Sequence, residues 1–293
     1  SGGIHMGADR YAEQLWLTMF AKAPEIALFD YRQLIEVSID PRTKTPWQGQ
    51  GTSFDWDEMM QPRNGVKPTT LAKIAGYTLE KVDPVVAQLG KPKGIVSYKA
   101  FHTAGDDFLQ NYLGMIGLPM EMRPAFPEDQ QVVLLTEQAK SDPDLVKKID
   151  AQLRKGGDVI VTTGLLKAVP EVIDQFAQFK VPGDVLVNDF GRHGQTAKDI
   201  LIPHVRYYTN DTWDIISAGR PLNNGTNGFP LMLRGKYSKG NIYVLAVPAD
   251  FSDMYELPVG VLNQLRSIMS RDLKVRLEGP AKVSLFVYDN DTF

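Results

Sequence analysis

Gln131-Val132-Val133-Leu134-Leu135-Thr136 and Asp158-Val159-Ile160-Val161-Thr162 are two short apolar runs separated by one well-punctuated helical stretch. Between them Asp142 reads as an N-cap, Pro143 as the first helical residue, and Leu145, Ile149 and Leu153 as an inward stripe. Gly156-Gly157 follows the basic end. Apolar runs with no polar alternation belong to strands buried on both faces, and a helix between two of them makes a crossover in a parallel sheet. The same grammar extends outward. Residues 94–98 read as a strand, 106–116 as a helix with Phe108, Leu109, Tyr112, Leu113 and Ile116 inward, 171–178 as a helix and 184–188 as another strand. These alternations predict an α/β fold, a doubly wound and mostly parallel sheet covered on both faces.

Beyond residue 194 the period shifts toward two. Residues 200–208 look extended, 229–234 and 241–247 read as a hairpin across Tyr237-Ser238-Lys239-Gly240, and 257–269 as a last helix. Residues 273–277 and 282–287 alternate around Gly279-Pro280 and predict a short antiparallel unit. Ahead of the sheet, Ala12, Leu15, Trp16, Met19 and Phe20 mark one face of a helix over 9–22, followed by Glu25-Ile-Ala-Leu-Phe-Asp-Tyr31 as a buried strand. Residues 36–67 lose all period, and a loop of that length is usually functional or a linker. Leu71, Ile74, Ala75, Leu79, Val82 and Val86 then form a helical face kinked or ended at Pro84. The expected domains are 1–66, 67–270 and 271–293, and both ends look cut, as in a segment of a longer protein.

Composition excludes several functions. The 293 residues carry 32 Lys+Arg against 35 Asp+Glu, a formal charge of −3, with both signs interspersed. No basic stripe exists to neutralise phosphates, so no nucleic-acid partner is expected. No run approaches the roughly 20 apolar residues of a spanning helix, so no membrane span is expected, and residues 1–20 contain no leader-like apolar stretch. The compartment stays unknown, with periplasmic and extracellular locations both open. The chain has no cysteine, which removes disulfides, thiolate metal sites and any Cys nucleophile. His5, His102, His193 and His204 include no pair at zinc-site spacing, and neither a dinucleotide fingerprint nor a phosphate-binding P-loop occurs. Neither a metal nor a cofactor is expected.

Chemistry has few places to sit. Residues 98–107, with Lys99, His102 and Thr103, follow a strand where a doubly wound sheet holds ligands, and a plain turn with a helix cap explains them as well. Val161-Thr162-Thr163-Gly164-Leu165 offers only hydroxyls, with no adjacent base to activate Thr163. Asp189 with His193 is a further pair, against a loop-stabilising role for Asp189. Asp30, Arg32 and Gln33 lie at the carboxyl end of the first strand, where barrel enzymes contact substrate. Trp47, Phe54 and Trp56, interleaved with Gln and Asp, have the character of a sugar-stacking loop, or equally of a loop pinned onto a second domain.

The order of elements resembles the family forty-two β-galactosidases. Arg10-Tyr-Ala-Glu-Gln-Leu-Trp16 through Ala23, then Ile26-Ala-Leu-Phe-Asp-Tyr-Arg32, is similar to the family's penultimate barrel helix and last barrel strand. Residues 93–269 resemble its class I glutamine amidotransferase-like, flavodoxin-like domain, and residues from 273 the start of its β domain. The resemblance implies a (β/α)8 barrel end, a trimerisation domain that has lost amidotransferase chemistry, and action on β-linked sugars such as galactosides. It implies carbohydrate bound through the barrel part, a homo-oligomer, and residues 29–33 as the rim of a sugar site with Arg32 foremost in substrate contact; with the loop aromatics read from their own composition, the candidate substrate-binding residues are Asp30, Arg32, Gln33, Trp47 and Trp56. The two carboxylates of a retaining glycosidase would lie upstream, so the catalytic residues are unknown and this chain would be inactive alone. The ending Asp30-Tyr31 departs from the family's more aromatic pattern, and the loop 41–56 has no alignable counterpart. The alternative is a self-contained, non-catalytic α/β binding or oligomerisation module.

Overall fold

A computed structural model describes residues 8–28, 30–35, 61–62, 64–65, 70–101, 103, 108–170, 174, 176, 178–208, 211–219 and 228–293. The chain divides into two units, residues 1–92 with 288–293, and residues 93–287.

In the first unit the helices α1 (Ala8–Phe20), α2 (Tyr31–Ile35) and α3 (Leu71–Val86) are the described elements. Ala12, Ile74 and Tyr77 form a small buried cluster, with Tyr11 and Leu71 packed against it. The helical face predicted for residues 71–86, placed from sequence with the sheet domain, therefore packs on α1. Thr70 caps α3 by accepting from the Lys73 N–H at 3.3 Å, and the helix runs through Pro84 to Val86 without ending there. The chain's last residues return to this unit. Tyr288 Oη donates to the Phe20 carbonyl at 2.7 Å, and Asp289 Oδ1 accepts from the Lys91 N–H at 2.8 Å.

The strand expected over residues 25–31 is not one. Residues 25–28 are irregular, and Tyr31, 74% exposed, opens the short α2 instead. The reason is local. Asp30 takes a left-handed φ of 67°, its Oδ1 accepts from the Arg32 N–H at 3.1 Å, and its carbonyl accepts from Leu34. An Asx turn that satisfies the backbone this way starts a helix rather than a ladder.

In the second unit seven strands among the described residues form one mixed sheet. They are β1 (Ile95–Tyr98), β2 (Met120–Arg123), β3 (Val132–Leu135), β4 (Asp158–Thr162), β7 (Thr212–Ala218), β8 (Phe229–Tyr237) and β9 (Gly240–Leu245), in the order β2-β1-β3-β4-β9-β8-β7. β2, β1, β3, β4 and β9 run parallel, and β8 and β7 continue antiparallel. Every residue of β1, β3 and β4 is buried, as unbroken apolar runs require. Helices α4 (Leu109–Met115), α5 (Leu145–Arg154), α6 (Thr163–Ala168) and α7 (Val259–Met269) contribute Leu113, Ile149, Leu165 and Leu262 to the same core.

Several expectations are corrected. Residues 184–188 are extended but belong to β5 (Phe179–Asp189), which pairs antiparallel with β6 (Gln195–Tyr207) as a separate ribbon and not as a further parallel strand. The helix expected at 171–178 falls largely outside the described residues. Asp142 does not cap α5, whose N-cap is Asp144; it ends the preceding 3-10 turn and anchors a side-chain cluster. Phe108 is 58% exposed, because it precedes α4 in a left-handed conformation. The antiparallel unit predicted at 273–287 is absent among the described residues: Val283 instead bridges Ile116, and Arg266 holds the Gly279 and Pro280 carbonyls.

Candidate functional site

The residues expected to bind sugar are only partly described. Trp47 and Trp56, with Phe54, lie outside the described residues. Asp30, Arg32 and Gln33 fall within five residues of one another, with Arg32 and Gln33 exposed on α2 and the Asp30 carboxylate engaged by the Arg32 backbone. Residues 102 and 104–107 of the first sheet turn also lie outside the described set.

At the carboxyl end of β1 and β3, Tyr98 is 4% exposed and donates from Oη to Asp142 Oδ2 at 2.8 Å. Lys148 Nζ donates to the same oxygen at 2.6 Å, and Oδ1 accepts from the Asp144 N–H at 2.9 Å. Burial pushes the Tyr98 phenol above its usual range, and the adjacent carboxylate pushes it further. Burial also pushes the Asp142 carboxyl up, but the hydrogen bonds from Lys148, Tyr98 and Asp144 outweigh it and hold the group below the usual carboxylate range. All three polar side chains are committed to one another, so the cluster is a fastening between β1, the 3-10 turn and α5.

A second place has open space. Parallel strands β4 and β9 end side by side, with Thr162 in register with Leu245. The turn into α6 and the segment after β9 then face a cavity of about 160 Å³. Glu137, Thr162, Thr163, Lys167, Asp184 and Phe251 line it. Thr163 is 1% exposed, and its Oγ1 accepts from the Val247 N–H at 3.1 Å. Lys167 Nζ pairs with Asp184 Oδ1 at 3.1 Å, and Glu137 Oε1 with Lys140 Nζ at 2.5 Å. Sequence reasoning reached Thr163 but passed over Glu137, Lys167 and Asp184. Only Glu137 gave a local signal, since it stands one residue beyond the apolar run that ends at Thr136, where open α/β sheets hold ligands.

The remaining candidates are structural. Asp189 Oδ1 accepts from the Gly191 N–H at 2.8 Å, a loop-stabilising Asx turn. The His193 ring packs against Gly260, while His204 meets Phe229 edge to face at 4.9 Å. Among the described residues no group of three or more His, Asp or Glu is arranged to hold a metal ion, and no helix is long and apolar enough to cross a membrane.

Comparison with known proteins divides the chain into three. Residues 1–88 match a family model described as the catalytic domain of a probable glycosyl hydrolase, and residues 274–293 match one described as a probable glycosyl hydrolase C-terminal domain. Between them, residues 90–250 match the second domain of the uncharacterized protein SSO3021. No curated protein matches. Among solved structures, a β-galactosidase from Bacillus circulans sp. alkalophilus is 11% identical, with 83% of this chain and 40% of that chain covered and a TM-score of 0.46. A β-galactosidase from the Antarctic haloarchaeon Halorubrum lacusprofundi is 13% identical, with coverage of 71% and 35% and a TM-score of 0.40. A cytoplasmic protein, STM1381 from Salmonella typhimurium LT2, is 12% identical, with coverage of 60% and 98% and a TM-score of 0.38. The chain thus spans about 40% of the length of the first of these β-galactosidases. Its larger domain, a mixed α/β sheet set between two glycosyl-hydrolase-type segments, belongs to the SSO3021 second-domain family.

Proposed function

We propose that the chain is the C-terminal part of a glycoside-hydrolase-like protein acting on β-linked sugars such as galactosides, with residues 93–287 serving as a non-catalytic domain for oligomerisation and for shaping a neighbouring barrel site. The observation that carries this reading is the order of the matches, a glycosyl hydrolase catalytic segment at 1–88 followed by the α/β domain and a glycosyl hydrolase C-terminal segment. The amidotransferase-like, doubly wound character of the middle domain is part of the proposal. It is supported by the order of the five parallel strands, which places β1 and β3 as neighbours while the chain visits β2 between them.

A silent middle domain is supported by Thr163, whose oxygen is held by the Val247 N–H, and by the absence of cysteine from the sequence. Inactivity of the chain alone is supported by two of the carboxylates described in its first segment, both already engaged. Glu13 pairs with Arg10 at 2.7 Å and Asp30 is held by the Arg32 backbone, whereas a retaining glycosidase needs two carboxyl groups about 5 to 5.5 Å apart as acid and nucleophile. Nitrophenyl β-D-galactoside is expected to be hydrolysed no faster with this chain than in buffer, and light scattering is expected to return a multiple of the chain mass. Clear turnover would refute the catalytic part, and a strict monomer across concentration would refute the assembly role.

A further inference from the structure

The cavity at the ends of β4 and β9 is more than a packing defect, because a polar group in its wall is left unsatisfied. Thr162 is 1% exposed, lines the cavity, and its Oγ1 is buried without a hydrogen-bond partner. A hydroxyl removed from water and left unpaired is costly, and such groups in a native fold call for an explanation. The neighbouring geometry supplies one. A methyl placed on Gly164 would stand 3.5 Å from Glu137 Oε2 and 3.7 Å from Thr162 Oγ1. A carboxylate oxygen and an orphan hydroxyl therefore border the same small space. Glu137 reaches its lysine through the other oxygen, Oε1.

The lining also defines what fits. Both charged pairs at the wall are internally matched, Lys167 with Asp184 and Lys140 with Glu137, so neither lysine is left to answer an incoming anion. A phosphate or carboxylate would face Glu137 Oε2 with no uncommitted cation in the lining to answer it. Leu109, Pro203, Val247, Pro248 and Phe251 give the rest of the wall an apolar character. The volume of about 160 Å³ lies well below the approximately 300 Å³ at which drug-sized sites begin.

We infer that this cavity is a binding site for one small neutral polyol, whose hydroxyls donate to Glu137 Oε2 and pair with Thr162 Oγ1 while its C–H face rests on Phe251. The site lies within residues 93–287 and does not depend on the barrel segment, so it stands or falls separately from the glycoside-hydrolase reading.

Saturation-transfer NMR and calorimetry on the full 293-residue chain test it, with D-galactose, D-glucose and glycerol as neutral probes and D-glucose 6-phosphate as the anionic one. A cyclic monosaccharide and a linear polyol share the required chemistry, and the separate arms tell them apart. The expected result is millimolar binding of at least one neutral probe and none of the phosphate ester. Gly164→Ala puts a methyl into the shared space at ordinary contact distances, 3.4 Å from Glu137 Cβ, and is expected to weaken binding about tenfold or more while the melting temperature does not fall. Thr162→Val, which removes the orphan oxygen, is expected to weaken binding about tenfold and to melt no lower than the parent. Three outcomes would each overturn the proposal: no neutral probe binding up to about 50 mM, binding unchanged in both variants, or preference for the phosphate ester.

Discussion

Arg266 Nε donates to the Ile116 carbonyl at 2.7 Å, joining residues 150 positions apart in the chain. The guanidinium is fully buried and has no carboxylate among its hydrogen-bond partners. Its other donors reach Asn263 Oδ1 at 2.8 Å and the carbonyls of Gly279 and Pro280 at 2.6 and 2.9 Å. Burial alone lowers its pKa from the ordinary arginine value. One side chain thus fastens α7 to the end of α4 and to the turn at 279–280.

Replacing Arg266 by Met is therefore expected to cost on the order of 3–5 kcal/mol, because three carbonyls lose their donor in a place water reaches poorly. Lys, with one donor group and no fork, is expected to recover less than half of that. Urea unfolding followed by circular dichroism gives both numbers, and a Met variant within about 1 kcal/mol of the parent would show that those carbonyls find other partners.

Asp158 makes a comparable fastening at the start of β4. At 2% exposure it pairs with Arg271 at 2.5 Å and accepts from both the backbone and side-chain amides of Asn241 at 2.8 and 3.0 Å. Asp158→Asn keeps the shape but loses the charge and forces an NH2 toward one of these donors. A loss of about 2–4 kcal/mol is expected from chemical unfolding, with little dependence on salt because the pair is buried. A salt-sensitive loss would mean the pair is open to solvent.

Two glycines predict opposite outcomes. A Cβ on Gly240 would stand 2.0 Å from the Gly157 carbonyl oxygen and 2.9 Å from that of Leu153, backbone atoms that cannot swing aside. Gly240→Ala is expected to cost about 3 kcal/mol or more. Gly76, inside α3, meets nothing within 4 Å, and Gly76→Ala is expected to add about 0.5–1 kcal/mol through helix propensity. Melting temperatures of the two variants, compared with the parent, check both signs.

What the sequence made legible follows from burial. Val132–Leu135 and Asp158–Thr162 are covered on both faces, so their runs are unbroken and read directly as strands. Met120–Arg123 was invisible for the opposite reason: it lies between Pro119 and Pro124, and Met122 is 57% exposed. The run at 25–31 had strand composition, but the turn at Asp30 gave its backbone a cheaper partner. Thr163 could be named as a hydroxyl without a base, yet nothing near it in sequence pointed to Val247, 84 positions away. Glu137, Lys167 and Asp184 come from three separate segments, so their meeting is a property of the sheet and leaves no local spacing to read.

The Asp142 cluster gives a pH test with a defined direction. Its carboxyl is held below the usual value in the folded chain, since the hydrogen bonds from Lys148, Tyr98 and Asp144 outweigh the penalty of burial. A group whose folded pKa is depressed stabilises the fold fully above its unfolded value, about 3.9 for Asp, and loses that contribution as pH falls through the folded value. Asp142→Asn is accordingly expected to cost about 1–3 kcal/mol at neutral pH. That difference from the parent is expected to narrow progressively below about pH 4, where the parent's own carboxylate takes up a proton and Lys148 and Tyr98 lose their acceptor. Urea unfolding of both proteins across this window measures the narrowing. A difference that stayed constant down to about pH 2.5 would assign the effect of Asn to packing rather than to charge.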